Sequence, residues 1–142
     1  MFSTSHLHPM LVHFPIALVI FGFLAELAFL FFKKEVALGK MGYYLLILGT
    51  LFALAAWVTG NFFTSSMDGA AGKIKETHEL FATITLILLL VTSILRTTLY
   101  ILKNESSILK TLSFLLYALA AVSVSITGYL GGSLVYNYML GL

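Results

Sequence analysis

The stretch HPMLVHFPIALVIFGFLAELAFLFF, His8 to Phe32, decides the fold. Apart from two histidines it holds a single ionisable side chain, Glu26. From Pro9 onward it supplies the roughly 20 mostly apolar residues with which an α-helix crosses a bilayer. Pro9 suits the first turn of such a helix, where its missing N–H has no partner to lose, and His8 then takes the cap position. Pro15, a turn and a half further in, is expected to kink the span or to move its true start.

Three more stretches follow the same pattern: Gly42–Phe63, Thr77–Leu102 and Ile108 to about Leu140. The linkers between spans are short and polar: KKEVALGKM, TSSMDGAAGKIKE and KNESS. Of the 142 residues, 60% are apolar and 10% charged, with a mean hydropathy of +1.02. A soluble domain carries about 25% charged residues. The expectation is an all-α integral membrane four-helix bundle, one domain over residues 1–142, with the lipid bilayer as its first partner. Gly131-Gly132 should bend the last span or end it early. The chain has no cysteine, which excludes disulfides, thiolate metal sites, cysteine-ligated iron–sulfur clusters and covalent c-type haem attachment. A net charge of +2 is too small to point to nucleic acid.

Lysines set the orientation. The linkers after spans one and three carry Lys33, Lys34, Lys40, Lys103 and Lys110, whereas the linker after span two carries Lys73 and Lys75. This favours cytoplasmic linkers after spans one and three, with both termini and the middle linker outside. The chain does not open like a signal peptide, since a basic n-region and a small-residue cleavage site are missing. Trp57, Tyr129, Tyr136 and Tyr138 then fall toward the outer interface, and Tyr43, Tyr44 and Tyr100 toward the inner one, as an aromatic belt.

An internal repeat is suggested by FALAA at Phe52–Ala56, which recurs as YALAA at Tyr117–Ala121. The same step along the chain carries His13 to His78, Ala17 to Ala82, Leu24 to Leu89 and Leu30 to Leu95. Thr59-Gly60 recurs as Thr127-Gly128, three positions later than that step would place it. Two repeated transmembrane hairpins, about residues 1–67 and 68–142, would be related by a pseudo-two-fold axis along the membrane normal.

The four histidines gather at one end: His6, His8 and His13 head span one and His78 heads span three. Adjacent helices lie about 8–10 Å apart, so spans one and three, on the diagonal, stand roughly 12–14 Å apart, with room for two imidazoles and a metal between them. One reading is haem b with His13 and His78 as axial ligands. Ala17 and Ala82, four residues on and on the same helical faces, leave a gap for the macrocycle, and Lys73 and Lys75 neutralise its propionates. A second reading is a zinc or copper site built from His8, His13 and His78, with Asp68 or Glu79. In a third the histidines bind nothing and hydrogen-bond at helix ends, His8 ahead of Pro9 and His78 after Thr77.

Glu26 and Arg96 are the ionisable residues well inside spans, each seven residues before a lysine, Lys33 and Lys103. Charges at such depth usually face the bundle and pair, so a Glu26–Arg96 ion pair between spans one and three is expected. Arg96 follows His78 by five full turns of helix and shares its face. Snorkelling of both side chains to headgroups is the bland alternative; a proton relay lacks titratable groups linking the pair to the histidines. Alanines and glycines of spans two and four, such as Gly49, Ala53, Gly60 and Ala121, look like packing residues. GYLGG at Gly128–Gly132 lacks the strand and phosphate-binding context of a nucleotide loop. No Ser-His-Asp or Cys-His arrangement and no paired carboxylates are apparent.

HPMLVHFPIAL, His8 to Leu18, resembles the opening signature of a bacterial membrane family catalogued as domain of unknown function 2231. Members of that family share an acidic residue later in span one, a histidine and an arginine in span three, and a late Gly-Gly. Here those positions are Glu26, His78, Arg96 and Gly131-Gly132. The resemblance covers nearly the whole chain and implies a bacterial membrane protein; together with the lysine pattern the expectation is a multi-pass protein of the inner membrane with periplasmic termini. Some relatives look fused to Rieske-type iron–sulfur or cytochrome c domains, which implies a place near electron transport. The expectation is a haem b-carrying electron-transfer subunit without catalytic activity of its own. Rieske or cytochrome c proteins would be its redox partners, in a homo- or hetero-oligomer. The competing expectation is a non-redox metal-binding or structural subunit of a membrane complex.

Overall fold

The structure, a computed structural model, describes residues 7–139. His6 and Leu140 lie outside the described residues. The elements are α1 (Leu7–Leu11), α2 (His13–Phe31), α3 (Val36–Phe63), α4 (Gly69–Ile101) and α5 (Ser107–Leu134), closed by a π-helical turn, Val135–Met139. Among the described residues four stretches are long and apolar enough to cross a membrane: His8–Phe31, Val36–Phe63, Gly69–Ile101 and Ser107–Tyr138. The protein is an all-α four-helix membrane bundle. α2 packs most closely on α3 and α4 on α5, while α3–α4 and α2–α5 close the square, with α1 lying on α3.

Pro15 explains the division of span one. It sits in the first turn of α2 and has no N–H for the carbonyl of Leu11, so the hydrogen-bond ladder is interrupted next to Val12, whose own backbone stays helical at φ −62° and ψ −23°. Val12 N–H bonds His8 O at 3.1 Å, four residues back as in a continuous helix. Beside it the ring of His13 donates from Nδ1 to Pro9 O at 2.8 Å.

Three boundaries differ from the sequence expectation, the first being that of α3, which begins at Val36 rather than Gly42. α4 begins at Gly69 rather than Thr77, because Ala70, Ala71, Lys73, Lys75 and Glu76 favour a helix although they do not favour lipid. Lys75 and Glu79, one turn apart, pair there at 2.8 Å. α5 runs straight through Gly131-Gly132 to Leu134 and changes to a π-helical turn only beyond it.

Val19, Leu46, Leu89 and Tyr117 are fully buried at the centre. Large apolar side chains such as Phe21, Leu51, Ile94 and Val122 cover the outside. Lipid provides no hydrophobic drive between helices, so close approach must hold them together. Gly42 lies against Glu26 and Gly49 against Val19, so the small residues of α3 admit span one.

Burial recurs along the chain. Pro15, Val19 and Gly22 of α2 are buried, and so, at one constant step along the chain, are Thr85, Leu89 and Thr92 of α4. Gly42, Leu46, Gly49, Thr50 and Ala53 of α3 are buried, and a step longer by one position leads from them to Ser113, Tyr117, Ala120, Ala121 and Val124 of α5, buried as well. The shorter step that aligns FALAA with YALAA would instead match fully buried Tyr117 with half-buried Phe52.

Candidate cofactor site

Two imidazoles meet at one end of the bundle. His8, on α1, places Nδ1 2.9 Å from the carbonyl of Ala56, and His78, on α4, places Nδ1 3.0 Å from the carbonyl of Thr127. A carbonyl oxygen can only accept, so in both rings Nδ1 carries a proton, and in the neutral imidazole Nε2 keeps its lone pair. Neither Nε2 has a hydrogen-bond partner among the described residues, and neither is sealed off. The ring centroids stand 6.2 Å apart with the ring planes at 79°.

Glycines make room for both rings. Four residues after each accepting carbonyl, one turn further on the same helical face, stand Gly60 and Gly131. A Cβ at Gly60 would lie 2.9 Å from Cε1 of His8, and one at Gly131 would lie 3.1 Å from Cε1 of His78. The absent side chains leave those carbonyls open to imidazoles from a neighbouring element.

Both rings line a cavity of about 360 Å³ with mostly apolar walls, among them Ala53, Ala56, Ala82 and Gly128. That volume lies within the range of small-molecule sites, roughly 300–1,000 Å³. Trp57 forms part of the wall and is fixed by donating from Nε1 to Thr83 Oγ1 at 3.0 Å. Beneath His78 the hydroxyls of Thr85, Ser123 and Thr127 bond one another, Thr85 to Ser123 at 2.7 Å and Thr85 to Thr127 at 3.2 Å.

The sequence-predicted residues divide. His8 and His78 come together, whereas His13 is exposed at the cavity edge, its Nδ1 held by Pro9 O. Ala82 lines the cavity; Ala17 is exposed and does not. Lys75 lines it, paired to Glu79, while Lys73 is exposed and stands apart. Asp68 is exposed ahead of α4. Among the described residues no three of His, Asp and Glu gather in a metal-holding group. Thr59, Gly60, Thr127 and Gly131 were not singled out for the site by sequence.

At the opposite end Glu26 and Arg96 meet through two bonds, Nη1 to Oε1 at 2.8 Å and Nη2 to Oε2 at 3.0 Å. Arg96 Nε donates to Ser113 Oγ, and Tyr117 donates to Gly42 O at 3.2 Å. Every fully buried side-chain nitrogen and oxygen among the described residues is paired, as a low-dielectric interior demands.

Residues 4–142 match a family model described as Predicted membrane protein (DUF2231). The chain belongs to that family. No curated protein matches the chain, and no solved structure does.

Proposed function

We propose that this member of the DUF2231 family is a membrane-embedded electron-transfer subunit that holds haem b between His8 and His78. The observation that carries the reading is the geometry of the two rings. Imidazoles bound to opposite sides of one metal ion, each at about 2.0–2.1 Å, have centroids about 6.3 Å apart; here they are 6.2 Å apart. Each ring is also locked in the tautomer a metal requires, with the second nitrogen anchored to protein.

The division of labour follows from the site. His8 and His78 supply Nε2 from opposite hairpins. Ala56 O and Thr127 O orient the rings, Gly60 and Gly131 admit them, and the small residues of the cavity wall leave space between the helices. Lys75, at the rim, is the cation placed for a propionate. A reversible one-electron couple is the chemistry haem b supplies when bound. Held by these two imidazoles, a bound haem would keep no open position for substrate, which favours electron transfer over an oxidase role.

The lysine distribution supports reading this end of the bundle as the outer face of a bacterial inner membrane, with both termini periplasmic. Donor and acceptor are then separate one-electron proteins, such as Rieske or cytochrome c proteins. The matched burial of α2 with α4 and of α3 with α5 supports reading the chain as two equivalent hairpins, with the imidazole pair on the axis between them. The same two nitrogens suit zinc or copper, which is the second reading. Haem extraction and metal analysis of the purified protein separate the two. One haem b per chain supports the proposal; stoichiometric zinc or copper without haem replaces it with the second reading.

A further inference from the structure

We infer that Thr59 is a positioning residue that makes the two imidazoles unequal, rendering His8 the more basic ligand; this rests on the haem reading above. Thr59 Oγ1 lies 3.2 Å from His8 Nδ1 and donates its proton to Ala56 O at 3.0 Å. Its lone pairs therefore face the imidazole, and the single Nδ1–H of His8 is shared between two acceptors, Ala56 O and Thr59 Oγ1.

The orientation of this hydroxyl departs from its neighbours. Thr50, Thr64, Thr83 and Thr92 each donate to the carbonyl four residues back, the usual back-bond of a helical threonine. Thr59 instead donates three residues back, to the very carbonyl that orients His8. That rotation points its oxygen at the ring.

His78 has no counterpart. In the burial register that takes Leu46 of α3 to Tyr117 of α5, the position equivalent to Thr59 is Leu130, which offers no acceptor. Thr127 lends His78 its carbonyl, but its hydroxyl turns away to Ser123 O at 2.9 Å. His78 Nδ1–H thus has one acceptor among the described residues and His8 has two. A second acceptor on Nδ1–H raises the basicity of Nε2. A more basic axial ligand favours the oxidised form of a bound haem and lowers its potential.

The test is a spectroelectrochemical titration of the full-length, haem-loaded protein in detergent. Thr59→Val is expected to shift the midpoint potential upward with the low-spin spectrum retained. Thr59→Ser is expected to restore the wild-type value, and Leu130→Thr, which offers His78 a second acceptor, to shift it downward. An unchanged potential in Thr59→Val, or an upward shift that Thr59→Ser shares, overturns the inference. Should Thr59→Val fail to hold haem, Leu130→Thr decides alone, and a potential at or above wild type overturns it. A wild-type protein without haem overturns the parent reading, which the starting spectrum reveals before any titration.

Discussion

Arg96 reaches across the diagonal of the bundle and grips Glu26 with both terminal nitrogens, at 2.8 and 3.0 Å. Spans one and three are thereby tied at the end away from the histidines. Removing one partner of a buried pair strands the other charge and typically destabilises by about 3–5 kcal/mol, whereas replacing both with apolar residues is far milder. Glu26→Leu and Arg96→Leu are each expected to lower the thermal unfolding midpoint in detergent, and the double Leu variant to recover much of the loss. A double variant at least as unstable as the sum of the singles would contradict the pairing.

Two adjacent glycines are expected to respond in opposite ways. Among the described residues nothing lies within 4 Å of a Cβ added at Gly132, so Gly132→Ala should stabilise α5 by about 0.5–1 kcal/mol through helix propensity alone. At Gly131 the same methyl would press on the His78 ring at 3.1 Å, so Gly131→Ala should displace the imidazole and weaken ligand binding. Thermal unfolding and haem affinity of the two variants check this. Equal behaviour would remove Gly131 from the site.

The spans were legible because lipid imposes a simple demand on composition and length, and four apolar stretches answered it. The helical start of α4 was hidden because Gly69–Glu76 is helix-forming yet polar, and hydropathy reports lipid rather than backbone. Glu26 and Arg96 stand out in an apolar sequence, and their equal spacing from Lys33 and Lys103 set them at one depth. The histidine partner was harder. The FALAA and YALAA match fixed a register that drew His13 to His78, but identities among Ala and Leu come easily in such sequence. A better signal was available: the step from His8 to Glu26 equals the step from His78 to Arg96. His8 and His13 stand five residues apart, about 140° around a helix, so one ring turns toward His78 while the other is left exposed; which of the two faces the bundle needed the backbone to be seen.

Tyr117 is fully buried, and its hydroxyl bonds Gly42 O at 3.2 Å. Tyr117→Phe removes one net hydrogen bond and should lower stability by about 0.5–1.5 kcal/mol. Gly42→Ala should be the more damaging change, since the added Cβ would fall 2.5 Å from Glu26 Cγ and 2.6 Å from its Oε1. Overpacking of this kind costs about 1–3 kcal/mol, and here it also pushes on the ion pair. Unfolding midpoints in one detergent rank the two, and a Gly42→Ala variant as stable as wild type would contradict the close approach of α2 and α3.

The most direct test of the central claim is a dithionite-reduced minus oxidised absorption spectrum of the purified protein, expressed with ample haem, beside His8→Ala, His78→Ala and His13→Ala. A sharp α-band and Soret shift are expected in the wild type and in His13→Ala, and their loss is expected in His8→Ala and in His78→Ala. A colourless wild type would contradict the haem reading, and a spectrum lost with His13 but kept without His8 would contradict the pairing of His8 with His78.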